Sequence, residues 1–272
     1  VAYWIMKAII SPFLLLLWRV RVEGREHIPA HGPVILAANH QSFCDSFFLP
    51  VVVKRRLTYV AKAEYFDSWK TAWFFRAAGQ IPMNRSGGDA SQRALNTATA
   101  VLRRGGVLAI YPEGTRAPDI RLHKGKTGVA RLSLGCDVAV VSVGIVGTCA
   151  VQPPGSMFMR PFHSITVRFG PPLAYEHDGQ RLTTGTRHAG SATPDQDELR
   201  ALTDTLMQEI AALSGQEYVD EYASRKKRPS LNLAATAASA PSPARPPGAR
   251  RPGSQAEFVT SSKPCRHIPA LP

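Results

Sequence analysis

The sequence predicts an α/β fold, a sheet with helices packed on its faces. Two observations predict it. Between residues 20 and 170, short β-branched runs alternate with longer amphipathic stretches, the order of strands and helices in a layered sheet. The 272 residues, 44% of them hydrophobic, also suffice for a sizeable core. Ligands on such sheets usually bind beyond the carboxyl ends of the strands.

The first element is VAYWIMKAIISPFLLLLW, residues 1–18. Lys7 and Pro12 interrupt its apolar run, which falls short of the about 20 residues a spanning helix needs. No A-x-A cleavage site follows, which argues against a signal peptide. Tyr3, Trp4 and Trp18 fit the headgroup level, and Arg19, Arg21 and Arg25 fit anionic lipid. We expect a membrane-associated interfacial helix over 1–19 rather than a plain core helix.

Strands are predicted at VILAAN (34–39), LTYVAK (57–62), VLAIY (107–111), DVAVVSVGIVG (137–147) and SITVRFG (164–170). A helix starts at Asp89, with Gln92 spaced as a capping box and Leu95, Ala98 and Leu102 on one face, and Gly105-Gly106 closes it. Residues 65–75 hold six aromatics, a stripe that serves equally as core or as an apolar wall or interfacial patch. Residues 177–196 read as a loop. Residues 197–213 form an amphipathic helix with Leu199, Leu202, Leu206, Ile210 and Leu213 inward. The domain reading is therefore 1–19, then 20–224, then a basic tail at 225–272.

Charge separates the last two. The formal net charge is +13, and nine basic groups against one acidic give the last 48 residues +8 of it. Nine prolines with Ala and Ser make that tail disordered by composition. A nucleic-acid reader is not supported, because most of the basic excess sits where nothing folds. Cys44, Cys136, Cys149 and Cys265 have no paired spacing, which fits a reducing compartment and neither a zinc site nor a disulfide framework.

Three clusters carry chemistry. In Asn39-His40-Gln41-Ser42-Phe43-Cys44-Asp45, His40 ends a strand. Ser42 is the expected N-cap of the next helix, with Asp45 at its third position. Asp45 then either completes a Ser-x-x-Asp cap or reaches back to fix the His40 tautomer, as a general base requires. Tyr111-Pro112-Glu113-Gly114-Thr115-Arg116 is a strand-end loop whose arginine can fork onto a phosphate or form a plain salt bridge. Gly79-Gln80-Ile81-Pro82-Met83-Asn84-Arg85 places a lone arginine after a short strand. Gly125-Lys126-Thr127 is not a P-loop, since Ile120 stands where the first glycine is required. No G-x-S-x-G is present, and His123, His163, His177 and His188 share no metal-ligand spacing.

Taken together and in this order, NHQSFCD, GQIPMNR and YPEGTR resemble the blocks of the glycerolipid acyltransferases typified by 1-acylglycerol-3-phosphate acyltransferase. A fourth block resembles Val141-Ser142-Val143-Gly144-Ile145, with Ser142 where that family usually has proline. The resemblance covers about residues 20–172. It implies a mixed sheet flanked by helices, and transfer of a fatty acyl group from acyl-CoA or acyl-carrier protein to the free hydroxyl of lysophosphatidate, giving phosphatidate. By resemblance His40 is the general base and Asp45 orients it. Arg85, Glu113, Gly114, Thr115 and Arg116 hold the acceptor's phosphate, with Lys62 as a further basic residue nearby. No metal, no other cofactor and no acyl-enzyme are implied. The expected partners are an anionic membrane surface and the two substrates, at the cytoplasmic face. Another acceptor, such as glycerol-3-phosphate or a glycolipid, would need the same mechanism. A non-catalytic lipid-binding protein is the reading of another class, and the intact His40, Asp45, Glu113 and Arg116 argue against it.

Overall fold

Strand β2, Val34–Ala38, is the centre of the molecule: all five residues are buried. Its alternate side chains supply two separate cores, because successive residues of a strand point to opposite faces. Val34, Leu36 and Ala38 pack with Leu14, Trp18, Phe48, Leu49 and Ile165 on one face, while Ile35 and Ala37 pack with Ala98, Leu102, Val129, Leu206 and Ile210 on the other. In this computed structural model the described residues are 2–62, 66–68, 72–73, 75, 79–83, 90–153, 156, 158–175, 181–182 and 195–223. The predicted loop at 177–196 lies mostly outside them, and the tail at 225–272 lies wholly outside. Residues Val1–Ala223 form one compact unit.

The main sheet runs β1-β8-β7-β2-β5-β3-β4, where β1 is Arg19–Glu23, β3 Leu57–Lys62, β4 Ile81–Met83, β5 Val107–Ile110, β7 Val140–Val146 and β8 Ser164–Tyr175. All of its neighbours are parallel except β7 and β8, so the sheet is mixed, as expected. Off this path, a short β9, Arg181–Leu182, pairs antiparallel with the end of β8, and a separate parallel pair joins β6, Leu122–His123, to β10, Tyr218–Val219. Strand β1 escaped the sequence reading: Arg19-Val20-Arg21-Val22-Glu23 alternates exposed and half-buried residues at the sheet edge, where no apolar run is needed. Ser142 lies inside β7, within the strand predicted at 137–147. It is fully buried opposite Ala37, and the β7–β8 register shifts between Val141 and Val143. An irregular position of this kind tolerates proline or serine, since the ladder to β8 is already interrupted there.

The helices follow their apolar faces. Helix α3, Ala90–Arg103, buries Ala98 and Leu102 and ends at Gly105, whose φ of 73° only glycine adopts freely. Its expected cap, Asp89, lies outside the described residues. Helix α4, Gly128–Cys136, was not expected, being short and glycine-bounded. It buries Val129, Ala130, Leu132 and Ser133. A four-residue turn, α5, spans Thr148–Val151. Helix α6, Gln196–Ser214, buries Leu199, Leu202, Leu206 and Ile210 as its periodicity predicts, and Asp195 caps it by accepting from Gln196 N–H. It crosses β7 so closely that a Cβ on Gly144 would stand 2.6 Å from the Leu213 carbonyl carbon.

Helix α1, Ala2–Leu17, corrects one expectation. Tyr3 and Trp18 do not lie at a headgroup level; both are core residues. The Tyr3 hydroxyl accepts from Leu57 N–H at 3.2 Å. Trp18 Nε1–H donates to Arg160 O at 2.7 Å, and its ring meets Phe48 edge-on at 5.6 Å. Lys7 Nζ donates to Val53 O. One face of the helix is therefore bound to the domain, and the other leaves Trp4, Ile5, Ile9, Phe13, Leu15 and Leu16 exposed. No described helix is long and apolar enough to cross a membrane.

Candidate active site

Two of the three sequence clusters meet because their strands are parallel neighbours. Ala37 of β2 pairs with Ile110 of β5, so the chains leaving both carboxyl ends emerge side by side. From β2 come Asn39 and His40, and from β5 come Tyr111 to Arg116. The third cluster follows β4, two strands beyond β5. Arg85 lies outside the described residues. Lys62 ends β3, the strand next to β5, and only its place in the strand is described.

His40 and Asp45 are in direct contact, Nδ1 to Oδ2 at 3.0 Å. Helix α2 begins only at Asp45 and runs to Val52, so His40 sits a tight turn ahead of it. The same Asp45 oxygen also accepts from the backbone N–H groups of Gln41 and Ser42, each at 2.9 Å. Both meanings considered for Asp45 are thus true at once: it braces the turn that opens the helix and it holds the imidazole. Ser42 is not the cap expected of it. Its hydroxyl donates to Gln152 O at 3.0 Å, and Cys44 is the capping position without a side-chain bond. With Asp45 fully buried and the His40 side chain 15% exposed, the carboxylate is a fixed acceptor for Nδ1–H. That bond assigns the tautomer whose Nε2 carries the lone pair.

Tyr111 completes the setting. Its ring stacks on His40 with centroids 3.9 Å apart and planes 11° from parallel, and its hydroxyl lies 3.1 Å from Ser46 Oγ. Burial and the nearby Asp45 charge push the Tyr111 phenol well above its ordinary range; it is a neutral wall. Cys44 is equally inert, its thiol pushed up to about 12 mainly by burial. The sequence contained no sign of the stacking, since Tyr111 is remote from His40 along the chain.

Glu113 has a part different from the one the resemblance implies. Its side chain is buried, and both oxygens are engaged by backbone: Oε2 accepts from His40 N–H at 2.9 Å and Oε1 from His123 N–H at 3.0 Å. A carboxylate so occupied braces the loops and does not face a phosphate. Ala117 N–H donates to His40 O at 2.8 Å, closing the same junction. Gly114 turns the loop with φ 73° and lies against the Lys126 side chain. Thr115 is half-buried. Arg116 is exposed and pairs with no carboxylate among the described residues, so a Glu113–Arg116 salt bridge does not shape the loop.

His123 was set aside as a metal candidate, yet it belongs to this scaffold. It is buried, with Nε2 3.0 Å from Asp119 Oδ1 and its N–H on Glu113. Asn39 and Gln216 are the other residues missed. Asn39 pairs both ways with the Ile145 backbone and donates to Gln216 Oε1, while Gln216 Nε2–H donates to Ile120 O. Among the described residues no group of three or more His, Cys, Asp and Glu side chains is arranged to hold a metal ion.

Burial raises the Glu113 carboxyl to about 7, against the opposing pull of its two backbone N–H bonds. The unfolded chain ionises it near its ordinary 4.5, so its contribution to stability is complete below that pH and is lost as pH rises toward 7. Relative to Glu113→Gln, whose side chain does not titrate, the wild type should lose about 3 kcal/mol of unfolding free energy across this window. Urea titrations of both proteins at several pH values measure it. A constant difference would show that Glu113 does not carry a raised pKa.

Residues 19–146 match the family model described as Acyltransferase. The chain is 29% identical over 140 residues to the chloroplastic 1-acyl-sn-glycerol-3-phosphate acyltransferase LPAT1 of Arabidopsis thaliana, covering 51% of this chain and 39% of that protein. It is 27% identical over 115 residues to the 1-acyl-sn-glycerol-3-phosphate acyltransferase of Bacillus subtilis, covering 42% and 57%. The matches span between about two fifths and somewhat over half of the relatives' own length. Among solved structures, the 1-acyl-sn-glycerophosphate acyltransferase PlsC of Thermotoga maritima shares the fold, with a TM-score of 0.54, 23% identity, and coverage of 75% of this chain and 74% of that one. The His40–Asp45 pair and the Glu113 loop both lie inside the span, residues 19–146, that matches the acyltransferase family model.

Proposed function

We propose that the protein transfers a fatty acyl group from a thioester, acyl-CoA or acyl-carrier protein, to the free hydroxyl of 1-acylglycerol-3-phosphate, forming phosphatidate. The observation that carries the reading is the His40–Asp45 contact at 3.0 Å, at the carboxyl end of β2 and beside the Gly114–Arg116 loop. His40 Nε2 takes the hydroxyl proton as the oxygen attacks the thioester carbonyl. The new C–O bond forms, the C–S bond breaks, and the proton passes to the departing thiolate. Asp45 stabilises the transient imidazolium and fixes its orientation. A thioester is activated enough for this direct attack, so the reaction needs neither a metal nor an acyl-enzyme.

Arg116 supplies an exposed guanidinium for the acceptor's phosphate, with Arg85 and Lys62 as further basic groups and Gly114 and Thr115 shaping the loop. Glu113 acts through His40 by fixing its backbone. We place the protein at a lipid surface, through the exposed apolar face of α1, because the acceptor is itself a membrane lipid. The named relatives support the acceptor, and their partial coverage makes it a matter for assay. Purified protein should release free thiol from acyl-CoA with lysophosphatidate far faster than with glycerol-3-phosphate, lysophosphatidylcholine or monoacylglycerol. Preference for another acceptor would move the substrate assignment and keep the mechanism; no thiol release with any acceptor and either donor would refute the reaction.

A further inference from the structure

The loop before β8 presents large apolar side chains to solvent. Phe158 is 80% exposed and Phe162 is 72% exposed. Phe162 does so from a left-handed backbone, φ 64°, which a bulky residue rarely adopts. The conformation is fixed from outside the loop. Phe162 N–H donates to Leu17 O at 2.7 Å, Trp18 Nε1–H to Arg160 O at 2.7 Å, Arg19 N–H to His163 O at 3.2 Å, and Arg160 N–H to Val151 O at 2.7 Å. The fold therefore expends backbone strain to hold an aromatic ring in water, beside the end of α1 where Phe13, Leu15 and Leu16 are also exposed.

Charge identifies the occupant. Residues 1–22 and 149–175 contain no Asp or Glu, yet they hold Lys7, Arg19, Arg21, Arg160 and Arg168. Arg168 is bound to Glu23 and to Leu213 O, while Arg19, Arg21 and Arg160 are exposed. Protruding single rings flanked by arginines that pair with no carboxylate among the described residues, in segments without Asp or Glu, are complementary to an anionic lipid surface: the rings enter the acyl boundary and the guanidinium groups meet phosphates. We infer that the Phe158–Phe162 loop is a second lipid-inserting element, docking with the outer face of α1 on an anionic bilayer. The loop is also joined to the candidate site, because the chain just before it receives Ser42 Oγ–H on Gln152 O and Cys44 Sγ–H on Thr148 O. The inference extends the membrane part of the reading above and does not depend on the acyl chemistry.

The test is partition of the full chain onto vesicles, either pure phosphatidylcholine or equal parts phosphatidylcholine and phosphatidylglycerol. Phe158→Ser combined with Phe162→Asn removes both rings, and asparagine accepts the left-handed backbone. This variant should bind the mixed vesicles at least about tenfold more weakly, with unchanged Tm. Arg160→Glu should weaken binding to the mixed vesicles and leave pure phosphatidylcholine unaffected. Unchanged partition of a folded double variant would overturn the inference, as expected if the loop docks a protein instead. Should the double variant have a lowered Tm, Arg160→Glu decides alone, and its wild-type binding to mixed vesicles would overturn the inference equally. A chain that binds vesicles through this loop but releases no thiol in the acceptor assay keeps the docking and refutes the acyl-transfer reading.

Discussion

His40→Ala will lower turnover by at least about 100-fold, the low end of what a positioned general base contributes, with little change in Tm. The stability expectation follows from the packing. The imidazole is partly exposed, and its partners Asp45 and Tyr111 are each held independently. Asp45 still accepts from Gln41 and Ser42 N–H, and Tyr111 still meets Ser46. Glu113 grips the His40 backbone, which alanine retains. The variant therefore removes the proton acceptor and leaves the turn in place. Thiol release by purified wild type and variant, each with its melting curve, measures both quantities. Activity within a few-fold of wild type would overturn the base assignment. Loss of activity with a collapsed melting transition would instead show that the imidazole holds the turn together.

The residues that were legible from sequence are those whose geometry is set locally. His40 and Asp45 are separated by one turn, so their contact was one of the two alternatives open from sequence, and the turn by which α2 begins at Asp45 realises it. Helix α6 was legible because its buried leucines repeat at helical spacing along one continuous stretch. Glu113 was not. A glutamate in a glycine-containing loop looks solvated, and only the meeting of β2 with β5 turns it into a buried brace between His40 and His123. The same reason hides the Tyr111–His40 stacking and the Asn39–Gln216 contact, whose partners are distant in the chain. Trp18 and Tyr3 were misplaced because an amphipathic aromatic fits a headgroup layer and a polar niche in a core equally well; the choice lies with Arg160 O and Leu57 N–H, which the first eighteen residues do not contain.

Arg116→Lys will raise the KM for a phosphorylated acceptor far more than the KM for acyl-CoA. It should lower acceptor kcat/KM by about 10- to 150-fold, the equivalent of one charge-assisted hydrogen bond of about 1.5–3 kcal/mol. Lysine keeps the charge and loses the planar fork, so the loss reports geometry rather than net attraction. Arg116 is exposed and has no carboxylate partner among the described residues, and Glu113 is already engaged by two backbone N–H groups. Substitution therefore breaks no internal ion pair, and Tm should be unchanged. Specificity follows from the same contact. Monoacylglycerol, which lacks the phosphate, should be a poor acceptor for the wild type and should become no poorer in the variant, because there is no fork to lose. If Arg116 instead only stabilised the loop that turns at Gly114, every acceptor would suffer equally and Tm would fall with activity. Kinetics on lysophosphatidate and monoacylglycerol, set beside melting curves, separate the two. Uniform damage would end the phosphate assignment and leave the task of holding the acceptor to Lys62 at the end of β3 and Arg85 after β4.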